Sequence, residues 1–84
     1  MMNKKSREML IELYKGRKII SGEQYTYYWE DTGKRADANA VGYLLANGYA
    51  SKDIGFPVVI SEYSKAVWSD ILNYELKGMD VNDG

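Results

Sequence analysis

Apolar residues recur along this chain at helical spacing in some stretches and at every second position in others, and the switches between the two predict its elements. After Ser6, a suitable N-cap, Met9, Leu10, Leu13 and Tyr14 fall on one helical face until Lys15-Gly16 ends the run. Ile11 lies off that stripe, and Met1 to Lys5 read as a loose start. Lys18-Ile19-Ile20 reads as a short strand and Ser21-Gly22-Glu23 as a turn. Gln24 to Glu30 is the clearest strand, because Tyr25, Thr26, Tyr27, Tyr28 and Trp29 all favour extended backbone. Alternation places Tyr25, Tyr27 and Trp29 on one face and Thr26 and Tyr28 on the other, with Tyr28 toward water. Asp31-Thr32-Gly33-Lys34 is then a tight turn, and Lys34-Arg35-Ala36 leads into the next helix.

Asp37 is the expected N-cap of that second helix, and Asn47-Gly48 its left-handed stop. Ala40, Val41, Leu44 and Leu45 make its apolar face. Gly42 in its middle costs roughly 1 kcal/mol relative to alanine, a cost that a close backbone approach to another helix or to a partner would explain. Tyr49 to Lys52 and Pro57 to Ile60 form a hairpin around a turn at Asp53 to Phe56. Pro57 cannot donate to a ladder, so it belongs at the strand's start or on an open edge. Ser61 opens one last, long helix, in which Tyr63, Val67, Ile71 and Tyr74 follow one face, Ala66 lies beside it, and Trp68 and Leu72 broaden it. Lys77-Gly78 closes that helix, and Met79 to Gly84 read as a frayed polar tail.

Eighty-four residues suffice for one α+β domain with one core, spanning roughly residues 6–76. The chain has no cysteine, so disulfides and thiolate metal sites are excluded; it also has no histidine, the commonest general base and metal ligand. No cofactor is expected. No apolar run approaches the length of a membrane span, and a cytoplasmic setting is the expectation. Charge is unevenly spread: residues 1–20 carry six cations against two carboxylates, residues 21–55 three against five, and residues 56–84 two against five. The chain thus has a basic beginning and an acidic end, with a net charge of −1.

The order helix, hairpin, helix, Asn-Gly, hairpin, helix resembles a compact winged-helix subtype. The matching features are Ser6 to Gly16, the hairpin around Gly22 and Gly33, the run Ala40-Val41-Leu44-Leu45-Asn47-Gly48, and Val58-Val59-Ile60-Ser61. The resemblance is to small bacterial and phage-borne proteins, some of them DNA-binding regulators and some inhibitors of nucleic-acid enzymes. In the DNA-binding members the second helix of the motif enters the major groove and the wing touches the backbone. That implies Lys34, Arg35, Asn39, Tyr43, Asn47 and Lys52 as nucleic-acid contacts, with Gly42 and Ala46 also outward. No arginine or lysine lies inside the second helix, and duplex affinity comes mostly from neutralised phosphates.

Other chemistry in the sequence is thin. Asp31-Thr32-Gly33 spells the aspartic-protease triplet, but the flanking Glu30, Lys34 and Arg35 make a wet, charged setting unlike a paired, proton-sharing site. Gly33-Lys34 lacks the earlier glycine of a phosphate loop. Asp80, Asn82, Asp83 and Gly84 begin like a calcium loop without the remaining ligands. Carboxylates such as Asp70 and Glu75 read as solvated charge on the last helix. No enzymatic activity is expected. The aromatic residues Tyr25, Tyr27, Tyr28, Trp29 and Tyr43 are the candidate protein-binding set, since such rings bury large area at little entropic cost and keep a polar tip. The sequence therefore points first to a partner protein, with an inhibitor or accessory role of the phage type, and second to DNA.

Overall fold

Asn3, not Ser6, starts the first helix in the computed structural model, which describes residues 2–52 and 56–77. Helix α1 (Lys4–Tyr14) is capped by the Asn3 side chain, whose Oδ1 accepts from the Ser6 amide at 2.9 Å. From Met2 onward the start is not loose. Met2 is only 2% exposed, and its backbone N–H donates to Glu75 Oε2 at 2.9 Å. Burying a methionine side chain is worth about 1.5–3 kcal/mol, which offsets the ordering of about one or two residues. α1 packs on both the second helix and the second hairpin, so its buried arc is wider than one stripe and takes in Ile11. Tyr14, expected in the core, is partly exposed and lies parallel on the Trp68 ring, centroids 3.8 Å apart. The helix ends at Gly16, whose φ of +104° suits glycine.

Strands β1 (Ile19–Ser21), β2 (Tyr27–Trp29) and β3 (Arg35–Ala36) form an antiparallel sheet in that order. The predicted seven-residue strand is thus cut to three. Gln24 and Tyr25 take φ of +50° and +62°, turn conformations that no strand contains. The turn is held by Gly22 N–H to Thr26 O at 2.8 Å and Thr26 N–H to Glu23 O at 3.1 Å. Beyond the Asp31–Lys34 turn, residues read as a lead-in to the second helix instead pair as β3, with Tyr27 opposite Ala36 and Tyr28 opposite Arg35.

Helix α2 (Ala38–Ala46) begins where the sequence places it, with Asp37 Oδ1 accepting from the Ala40 amide at 2.9 Å. It buries Ala40, Val41 and Leu44 against α1, while Leu45 is half-buried. Strands β4 (Ala50–Ser51) and β5 (Val59–Ile60) form the second antiparallel sheet. The two sheets are tied by Ile19 and Val58, which exchange backbone hydrogen bonds of 3.1 and 2.8 Å in the core. Most of the turn predicted at Asp53 to Phe56 lies outside the described residues.

The long last helix is two short ones, α3 (Glu62–Ala66) and α4 (Trp68–Tyr74), broken at Val67. The buried stripe lies round the helix from the predicted one. Ser64, Trp68, Ile71 and Leu76 face the core, whereas Tyr63 and Tyr74, predicted to line it, are 56% and 73% exposed. One tryptophan buries more apolar surface than the tyrosines, whose hydroxyls otherwise need buried partners. Two serines fix the start of α3. Ser61 Oγ accepts from the Ser64 amide and donates to Gly48 O at 2.8 Å, and Ser64 Oγ donates to Tyr49 O at 2.7 Å. The predicted Lys77-Gly78 stop and the tail 79–84 lie outside the described residues, Lys77 excepted. Among the described residues the chain is a small α+β domain of four helices and two small antiparallel sheets, with no helix long and apolar enough to cross a membrane.

Candidate functional site

Register decides where the aromatic strand points. Ile19, Trp29, Tyr27 and Ala36 share the inner face of the first sheet, and Ile20, Tyr28 and Arg35 share the outer one. Tyr27 and Trp29 are half-buried against the core, Tyr27 tilted 5.9 Å from the Phe56 ring. Trp29 is covered by the Arg17 guanidinium, 4.1 Å from its centroid. Tyr28 packs across Gly22, and the Arg35 guanidinium lies 5.9 Å from its ring. Tyr25 is not on the strand face at all; it stands 87% exposed in the turn. The consecutive rings are therefore split among two faces and a loop, and only Tyr25 and Tyr28 point outward.

Asp31 accepts a forked pair of 2.9 Å hydrogen bonds from Arg17 Nε and Nη2, while Arg17 Nη1 donates to Glu12 at 3.2 Å. The guanidinium holds the Asp31 carboxyl below the ordinary aspartate range, the reverse of what a shared-proton dyad needs. Asp31-Thr32-Gly33 closes the β2–β3 turn, with Gly33 N–H donating to Trp29 O at 2.8 Å. A groove of about 360 Å³ between α1 and this sheet contains Lys5, Arg17, Arg35, Glu8, Glu12 and Asp37 beside Trp29. Lys5 pairs with Asp37 at 3.4 Å and Arg17 with Glu12 and Asp31, so its charges are largely satisfied internally. Among the described residues no group of acidic side chains is arranged to hold a metal ion.

The DNA-contact set is divided too. Asn39, Tyr43 and Asn47, four residues apart, lie exposed along one line of α2. Asn47 Nδ2 already donates to Tyr43 O at 2.8 Å. Lys34 and Arg35 are exposed at the first sheet, and Lys52 follows β4 with its ammonium 4.6 Å from the Phe56 centroid. Ala38, Asn39, Gly42, Tyr43, Ala46 and Asn47 are all exposed, and residues 38–47 contain no charge. A Cβ added at Gly42 would meet nothing within 4 Å, so no neighbour inside the fold explains that glycine.

Sequence reasoning missed a second aromatic surface. Tyr49, Tyr63 and Tyr74 line a groove of about 170 Å³ with Val67, Ile71, Asp70 and Glu75. Tyr49 and Tyr63 are tilted by 36° with centroids 6.4 Å apart. Burial, then the negative field of Glu75, pushes the Tyr49 hydroxyl above the ordinary tyrosine range; Tyr43 and Tyr63 add smaller effects in the same direction. Tyr63 and Tyr74 face outward because Ser64, Trp68 and Ile71 take the core side, a stripe whose spacing suits a helix as well as the predicted one does. A scan against protein-family models finds no match, and searches of curated proteins and of solved structures find none either.

Proposed function

We propose that this chain is a small non-enzymatic interaction protein of winged-helix-like plan, which binds and modulates a partner protein through the exposed face of α2. A cytoplasmic setting and an inhibitor or accessory role of the phage-borne kind belong to the same reading. One observation carries it: α2 with its Asn47 cap turns toward solvent a face with a tyrosine, two asparagines and a glycine but without a single charge. A solvated helix face is ordinarily charged, and interface centres are depleted in charge and enriched in aromatic rings. The winged-helix plan is supported by the element order and by the Ile19–Val58 pairing that docks the first hairpin on the second.

The Asn39, Tyr43, Asn47 line also favours a second reading, a sequence-specific DNA-binding regulator, since asparagine can pair with adenine in the major groove. Lys34, Arg35 and Lys52 would then supply the phosphate contacts. Affinity pull-down of the tagged protein from a cell lysate, with and without nuclease, separates the two. The protein-binding reading expects a discrete partner to survive nuclease and moderate salt. Loss of all captured material on nuclease treatment, with DNA binding that falls steeply with salt, would replace it by the regulator. In that case Arg35→Ala weakens binding on every sequence, whereas Asn39→Ala changes sequence preference.

A further inference from the structure

We infer that the groove formed by Tyr49, Tyr63 and Tyr74 with Asp70 and Glu75 receives a cationic side chain, an arginine or lysine, of a basic segment on the partner. The inference rests on the protein-binding reading and specifies the chemistry of what is bound. Three rings elsewhere are accompanied by one of the chain's own cations: Arg17 on Trp29, Arg35 near Tyr28 and Lys52 near Phe56. The residues lining this groove include two carboxylates and no cation. Among the described residues, neither Asp70 nor Glu75 enters an ion pair; Glu75 accepts only the Met2 amide.

Geometry and charge agree on the occupant. A cation is attracted to the face of an aromatic ring within about 6 Å of its centroid, and two rings with centroids 6.4 Å apart line this groove. At about 170 Å³ the groove is smaller than the roughly 300–1,000 Å³ of small-molecule sites, a size suited to one side-chain head group. Burial is the main cause of the raised Tyr49 pKa, and the second is the negative charge of Glu75, which would also favour a cation. The basic residues of α1 make a second copy of this chain the competing occupant, and residues 79–84, with two aspartates and no cation, match the groove poorly in charge.

The test is an NMR titration of the full chain at low ionic strength. The probes are N-acetyl-arginine amide and the peptide acetyl-Gly-Arg-Gly-Arg-Gly-amide, with the glutamate peptide as control. The expected result is saturable shifts confined to Tyr49, Tyr63, Asp70, Tyr74, Glu75 and their neighbours with the arginine probes only. Tyr63→Ala and Asp70→Asn, both at exposed positions, should each weaken binding by about five- to tenfold, and Tyr63→Phe, which keeps the ring, should not. Shifts scattered over all carboxylates, shifts indifferent to Tyr63→Ala, or a concentration-dependent dimer abolished by Tyr63→Ala would each overturn the inference. Partner capture that survives Tyr63→Ala but is lost with Tyr43→Ala would sink the groove while leaving the protein-binding reading in place.

Discussion

Ser6 sits in the first turn of α1 with its hydroxyl inside the core. A serine before an apolar stripe is a good cap, but Asn3 takes that place, and Ser6 Oγ ends up buried without a hydrogen-bond partner. Ser6→Ala should therefore be neutral or stabilising in thermal unfolding, because the unsatisfied hydroxyl is removed. Gly42→Ala should stabilise by up to about 1 kcal/mol in denaturant melts, since the helix gains propensity and the new methyl meets nothing. Asp37 carries a pH dependence. The Ala40 amide, with Lys5 second, holds its carboxyl below the ordinary aspartate range. A depressed pKa means stability that is present at neutral pH and is lost as the pH falls through the folded value. Asp37→Asn still caps but does not titrate, so its melting temperature should fall less on acidification than that of the wild type.

At the scale of elements, what was legible depended on local chemistry. Asp37, Gly16 and Gly48 punctuate helices through their own side chain or backbone freedom, and the structure uses all three as the sequence implies. The strand over Gln24 to Glu30 and the single final helix failed because tertiary packing overrode propensity. Tyr28 packs on Gly22 across a turn at Gln24-Tyr25, and the burial of Trp68 with Ser64 and Ile71 leaves Tyr63 and Tyr74 outside. The same logic gives Ser61 its weight. Ser61→Ala removes a cap and leaves Gly48 O without its side-chain donor, so a loss of about 1–3 kcal/mol is expected by chemical denaturation. Gly22→Ala would drive a Cβ into the Tyr28 ring and should lower the melting temperature by displacing it.

Across the whole molecule, surface composition says more about function than any one motif does. Six cations in residues 1–20 and a surplus of carboxylates after residue 56 give the chain charged ends, while the exposed side of α2 carries no charge. Part of the candidate site was visible beforehand: Tyr43 and the poverty of cations in α2 follow from sequence alone. The groove of Tyr49, Tyr63 and Tyr74 did not, because its residues come from the α2–β4 connection, α3 and α4 and meet only in the fold. The most direct measurement is nuclease-treated partner capture by Tyr43→Ala beside wild type, with thermal unfolding of both. We expect capture to fall tenfold or more at an unchanged melting temperature, and equally at low and moderate salt. Undiminished capture by a folded Tyr43→Ala protein would contradict the assignment of α2 as the binding face.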